Sequence, residues 1–281
     1  MHSALLPNGK IVTAKEFEQE RHGVSVRCMD KSCQVPVYYI EGTDDVAAHF
    51  KTSGKGDSVH KPDCGFAKKL TFQESVAKVG EFQGSLQEQG IREFVVRLNL
   101  SQLDPDYISK TVERGPTEKE KKEAQELDGN ALKEKKLTPQ SITTIKSIKK
   151  LFTTVEPDIL ASIIISFNGT RIPISKLICT CEEAHAALWN EEALAAPYFV
   201  HGTVGKVNRR EHVWFITLET GVRSFFTLVV FEAYFKHFTY KDEDLIGKEI
   251  LAAGRLKKNT FNLDRPITEM VIKSNKFIEF L

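Results

Sequence analysis

The apolar positions along the chain change period several times, and each change marks an element. Phe72, Val76, Val79 and Phe82 recur at spacings of four, three and three, which predicts a helix over 71–90. Residues 91–100 then alternate, with Ile91, Phe94, Val96, Leu98 and Leu100 apolar, the pattern of a half-buried strand. Ile142, Ile145, Ile148 and Leu151 recur every third residue. Thr138-Pro139 ahead of them predicts that this helix opens there, since Thr caps well and Pro suits the first helical position. The β-rich runs 162–167 and 170–175 flank Asn168-Gly169, a strong hairpin signal. Residues 182–195 begin acidic and become Ala-rich, which predicts a helix. From Tyr198 the pattern is all-β, with strands expected at 198–207, 213–218, 224–231, 249–256 and 267–272. An aromatic-rich segment at 231–240 has helix-like spacing between the third and fourth of these. Near the N-terminus, 24–27 and 35–40 read as short strands between polar turns.

Composition adds boundaries. The 281 residues are 41% apolar and 27% charged, ordinary for globular protein and enough for more than one core. Residues 104–137 are dense in Lys, Glu and Asp with few side chains to bury, which predicts a solvated helix or linker and a domain boundary. The domain division expected is 1–70, 71–197 with the linker inside it, and 198–281. Net charge is +1, from 39 basic and 38 acidic residues, so any basic surface must be local. No apolar run approaches the length of a membrane span, and the first residues carry no secretory signal. A cytoplasmic protein with no membrane partner is expected. Five cysteines, an odd count, argue for thiols or metal ligands rather than a disulfide framework.

The order strand, strand, strand, helix, strand, strand over 198–281 is that of a five-stranded Greek-key barrel. Gly202 and Gly205 fall inside the first strand, where a small barrel needs a residue without a side chain to turn its corner. His201-Gly202-Thr203-Val204, residues 213–218 and 227–231, and the frame Leu245-Ile246-Gly247 to Gly254-Arg255-Leu256 resemble the OB domains of the anticodon-binding and exonuclease VII type. That resemblance implies nucleic-acid binding framed by two loops. In this chain the first loop carries Lys206, Arg209, Arg210 and His212, and the second carries Lys257, Lys258 and Arg265, with Arg255 at the strand end. The two basic rims are expected on the same side of the barrel. Residues 198–281 hold thirteen Lys and Arg against ten Asp and Glu, a net of +3, so placement matters more than total charge. Trp214, Phe225 and Phe261 are the candidate stacking platforms.

Cys28-x4-Cys33 and His60-x3-Cys64 are two short-spaced pairs of soft ligands, which suit one tetrahedral zinc with no open position, hence a structural site. His49 is the alternative fourth ligand. A loop-rich segment of this size needs such a staple to fold alone. Together with His49-Phe50 and Asp63-Cys64, these residues resemble the zinc-ribbon-like module of competence CoiA-like proteins. The nuclease residues that would follow in such an enzyme are not recognisable. Cys179-x-Cys181 lacks a partner pair and reads as two ordinary cysteines at a strand end.

No phosphate-cradling glycine loop and no His-Glu-x-x-His pair is present, and nothing nominates a nucleophile or a base. The fold class expected is multidomain α+β, with an N-terminal zinc-ribbon-like module, a middle α+β region and a C-terminal five-stranded OB barrel. The function expected is non-enzymatic binding of single-stranded or non-duplex DNA or RNA. The alternatives are a protein-interaction module, such as an inhibitor or adaptor of a host or phage complex, and a nucleic-acid-processing enzyme with its site in 71–197.

Overall fold

The computed structural model describes residues 1–91, 93–108, 139–221, 225–261 and 266–281. Among the described residues the fold is mixed α+β with three sheets and divides into two compact units, one built on 1–67 and the other on 68–105 with 141–281. Most of the charged segment read as a linker lies outside the described residues.

The first unit is built on β1 (Ser3–Leu5), β2 (Ile11–Thr13), α1 (Gln19–His22), β3 (Val26–Cys28), β4 (Pro36–Ile40) and β5 (His49–Lys51). Its strands form one antiparallel sheet in the order β2-β1-β3-β4-β5. Phe50 is fully buried and packs edge-on against Phe17, 5.4 Å between ring centres, and against Tyr39 at 5.8 Å. Three cysteines complete a core that has few other large side chains.

The second unit opens with α2 (Phe72–Glu88), started by a capping box in which Thr71 accepts from Glu74 N–H and Glu74 accepts from Thr71 N–H. β6 (Phe94–Leu98), β7 (Ser141–Ile142), β8 (Ile163–Phe167) and β9 (Thr170–Pro173) form a sheet in the order β7-β6-β8-β9. The Asn168-Gly169 hairpin is present, with φ of 48° and 82°, the left-handed pair that such a two-residue turn requires. The helix read from Thr138 starts later, as α3 (Ile145–Thr154) capped by Thr144. Ser141 and Ile142 are instead drawn into parallel pairing with Arg97 and Leu98, a tertiary demand that overrides local periodicity. Thr138 itself lies outside the described residues. α4 (Pro157–Ala161) leads into β8.

β10 (Ile178–Thr180) and α5 (Cys181–Trp189, with a Thr180/Glu183 capping box) precede the C-terminal strands. These are β11 (Tyr198–Arg209), β12 (Val213–Leu218), β13 (Phe226–Phe231), β14 (Glu249–Gly254), β15 (Leu256–Asn259), β16 (Ile267–Val271) and β17 (Ile278–Phe280). The expected helix at 231–240 is a 3-10 turn at Glu232–His237, followed by α6 (Asp242–Leu245). The third strand was read from Ser224, which lies outside the described residues.

Pairing runs β15-β16-β13-β12-β11-β14-β17, with β13 and β16 parallel and β10 parallel to β11. β11 changes partner midway: Tyr198–Thr203 pair with β14 and Val204–Arg209 with β12, with a bulge between Val204 and Lys206. Arg255 alone separates β14, which pairs with β11, from β15, which pairs with β16. The glycines sit where strands crowd. A Cβ on Gly202 would stand 2.9 Å from Cys181 Sγ, and one on Gly254 would stand 2.5 Å from Met270 Cγ. The enclosed core includes Val204, Ile216, Leu218, Phe226, Leu228 and Met270, and Cys181 and Ala184 of α5 belong to it too.

Candidate metal centre and nucleic-acid interface

β3 ends on Cys28, and the tight loop to β4 carries Cys33. Backbone N–H groups of Cys33 and Gln34 both donate to Asp30 O, which curls that loop back on itself. Cys64 N–H donates to Lys61 O and Ala67 N–H to Cys64 O, a second curl that holds His60 and Cys64 together. One donor atom from each of Cys28, Cys33, His60 and Cys64 lies within 4.8 Å of all the others, a set that could hold a metal ion. Cys28 Sγ is 3.6 Å from Cys64 Sγ, and His60 Nδ1 is 3.5 Å from Cys33 Sγ and 3.4 Å from Cys64 Sγ. His49 is not in this group: its Nδ1 lies 3.0 Å from Ala47 O.

Asp30, 1% exposed, ties the two curls together. Its Oδ1 accepts from Ser32 N–H at 2.9 Å and its Oδ2 from Gly65 N–H at 2.9 Å. Lys61 Nζ reaches Ser32 O at 3.0 Å and adds a second bridge. The sulfurs differ in acidity. The hydrogen bond to Cys64, then burial, push the Cys28 thiol up, while accepting that bond pulls Cys64 down to about 7. Burial lowers the His60 pKa, which favours the neutral ring, the form that ligates. Metal must displace protons from these thiols, so affinity should fall steeply as pH drops through 7. A titration with a chromogenic metal competitor from pH 8 to pH 5 would read this, and a flat profile would exclude thiolate ligation.

The second cluster is set by strand parity. Val207 pairs with Ile216 and Arg209 with Trp214, and Val207, Ile216 and Trp214 all belong to or pack on the enclosed core. Lys206, opposite Thr217, and Asn208, opposite Phe215, therefore take the outer face. Arg210 Cζ stands 5.6 Å from the Phe215 ring centre, and Phe231, 44% exposed, pairs with Val213 on the same face. In the antiparallel pairing of β15 with β16, Lys257 lies opposite Glu269.

Arg209 is committed elsewhere. Its guanidinium lies 4.1 Å from the Trp214 ring centre, donates to Asp242 Oδ1 at 2.6 Å and to Tyr240 O at 2.7 Å. Phe235 stacks on Trp214 at 3.9 Å and 10°. A stacked ring and a guanidinium at these distances cannot share one face, so both faces of Trp214 are occupied. His212 Nδ1 is 2.8 Å from Glu232 Oε2. Lys258 lies 5.1 Å from the Trp189 ring centre and 3.9 Å from Glu191. Arg255 is exposed, and Arg265 lies outside the described residues. Phe225 packs on His185 with 4.4 Å between ring centres, and Phe261 is 98% exposed.

The two basic loops do not share a rim. Val213, just after the first loop, pairs with Phe231 at the end of β13, while Thr268, just after the second, pairs with Phe226 at its start. Because β13 and β16 run parallel, the loops stand about 17 Å apart along that strand and bracket the outer face from opposite ends.

No protein-family model matches the chain. No curated protein matches it either. Among solved structures, an aspartyl tRNA synthetase from Entamoeba histolytica is similar over 30% of this chain and 18% of its own, at 13% identity and a TM-score of 0.22. The chain thus spans less than a fifth of that protein, and a likeness of this size carries no inference about fold or function.

Phe215 of the outer face escaped the sequence reading, and Phe231, expected on the apolar face of a helix over 231–240 that plugs the barrel, instead ends β13 at 44% exposed. The signal was available: Trp214, Ile216 and Leu218 share one parity and Phe215 the other. Among the described residues, no helix is long and apolar enough to cross a membrane.

Proposed function

We propose that residues 198–281 are an OB barrel that binds single-stranded or non-duplex nucleic acid, and that the N-terminal module is folded around a structural zinc. The observation that carries the barrel is its pairing sequence. β11, β12, β13, β16, then β15 and β14 as one segment interrupted at Arg255, return to β11, with the third and fifth strands parallel. In this fold the face of the second and third strands, between the first and last hairpin loops, takes oligonucleotides. Here that face carries Lys206, Asn208 and Arg210 beside the exposed parts of Phe215 and Phe231, with Lys257 toward the far loop. The strand would cross the sheet from one basic loop to the other, with bases over the phenyl rings and phosphates on the cations. The function is binding, and residues 71–197 support the barrel by lending α5 to its core.

A fluorescently labelled oligo(dT) and oligo(U) titrated at two salt concentrations test this. Log K should fall with log salt by about 0.7 for each phosphate neutralised. Lys206→Glu with Arg210→Glu and Lys257→Glu should flatten that slope. Phe215→Ala should weaken binding by about 1–3 kcal/mol without changing it. Unchanged affinity in the triple charge reversal would remove this face from consideration and favour a protein-docking role.

For the metal, a tetrahedral zinc with Zn–S near 2.3 Å and Zn–N near 2.05 Å sets ligand atoms about 3.8 Å apart for two sulfurs and about 3.6 Å for sulfur and nitrogen. The separations of 3.6, 3.5 and 3.4 Å fit that tetrahedron. Four protein donors leave no position for substrate, which supports a structural role.

A further inference from the structure

The sheet of the first unit buries one face and leaves the other to solvent. Ala4, Val12, Val26, Cys28, Val37 and Phe50 are at most 5% exposed and point inward. By strand alternation Leu5, Ile11, Arg27, Pro36, Tyr38 and Lys51 point outward. Arg27, Tyr38 and Lys51 are the exposed members of that set, Tyr38 to 51%. None of the five strands contains an Asp or Glu. Residues 1–67 as a whole hold eight Lys and Arg against nine Asp and Glu, so this face is cationic by placement alone. The carboxylates sit in the connections: Asp44 and Asp45 lie beyond the Ile40–His49 pair, and the 52–58 turn adds one charge of each sign, Lys55 and Asp57.

The register fixes how these three side chains stand. Arg27 pairs with Pro36 on one side of β4, and Lys51 pairs with Tyr38 on the other. The two cations are therefore two strand spacings apart and offset by two residues, about 12 Å between their backbones, with Tyr38 between them. Neither Arg27 nor Lys51 has an ion pair among the described residues. Two uncommitted cations flanking an exposed ring complement an anionic chain that also carries planar groups. A single-stranded nucleic acid has both, phosphates for the cations and unpaired bases for the ring. An acidic peptide offers the charge without the planes, and a duplex keeps its bases stacked inside.

We propose that the outward face of β3, β4 and β5 is a second binding site for single-stranded nucleic acid, with phosphates on Arg27 and Lys51 and a base stacked on Tyr38. The site does not depend on the outer face of β12 and β13. The probe is a short oligo(dT), added to the full chain carrying Lys206→Glu, Arg210→Glu and Lys257→Glu. The readout is the backbone signals of β3, β4 and β5 in a nitrogen–proton correlation spectrum. They should shift saturably in this variant and in the parent alike, so the fate of the barrel site is read separately, from the signals of β12 and β13. Log K for the N-terminal site should fall with log salt by about 0.7 for each of two phosphates. Tyr38→Ala should weaken binding about fivefold or more. Arg27→Gln with Lys51→Gln should abolish the shifts. Lys51→Glu, which is remote in sequence from the cysteines, takes their place should Arg27→Gln lose its native spectrum. A glutamate peptide of equal charge and a short DNA duplex should both bind more weakly than the oligo(dT). No saturable shift, unchanged affinity in a folded Tyr38→Ala protein, or a glutamate peptide or duplex that binds equally well would overturn the assignment.

Discussion

Cys64→Ser, or a strong chelator, should unfold the N-terminal unit while leaving the C-terminal strands folded. Cys28, Cys33 and Cys64 are at most 3% exposed and belong to the core they would stop organising. The rest of that core rests on Phe50, Phe17, Met29 and short strands, four of the five only three residues long beside a five-residue β4. A structural zinc of this kind contributes about 10–16 kcal/mol of apparent binding energy, as much as the whole stability of a typical domain. Without it the two curled loops lose their common centre, and only Asp30 and the Lys61–Ser32 bridge would hold them together. Nitrogen–proton spectra of the full chain would show signals from 1–67 collapsing to the unfolded range while those of 198–281 keep their dispersion. Elemental analysis should find one zinc per chain. A metal-free preparation, or a Cys64→Ser protein with native dispersion throughout, would rule the structural metal out.

Trp214→Ala should cost stability, about 3 kcal/mol, before it affects any ligand. The ring fills the end of the C-terminal core between Phe235 and the Arg209 guanidinium, with Phe238 edge-on at 6.4 Å between ring centres. Removing it leaves a cavity and frees Arg209 from one of its three partners. Phe215→Ala, one residue along on the opposite face, should cost far less stability and act on binding. Urea denaturation of both variants, set beside their oligonucleotide titrations, separates the roles. The assignment of faces fails if Trp214→Ala keeps full stability or Phe215→Ala loses as much.

The Cys28, Cys33, His60 and Cys64 cluster that could hold a metal ion was legible because its residues come in two close pairs, and spacing within a loop is a local property. Asp30 was not, since nothing in its neighbours announces that it will reach Gly65, thirty-five positions away. Long periodic segments such as α2 and the Asn168-Gly169 hairpin were legible for the same local reason. β1, β2 and β5 were not, because three residues are too few to establish an alternation. β7 was hidden inside a helical period and became a strand only because β6 offered it a parallel partner.

For the C-terminal strands, alternation and the glycines in 198–256 determined by themselves where strands run and where they must crowd. Parity could also have told Phe215 from Trp214, since side-chain direction alternates along any strand. Only the tertiary structure decided which strands pair, that β13 and β16 run parallel, and hence that the two basic loops stand at opposite ends of one face. It also decided that Arg209 and Lys258 are held by neighbours while Arg210 and Lys257 take the outer face. The physical reason is that charge and periodicity belong to the chain, whereas a cation's availability depends on what long-range pairing brings against it.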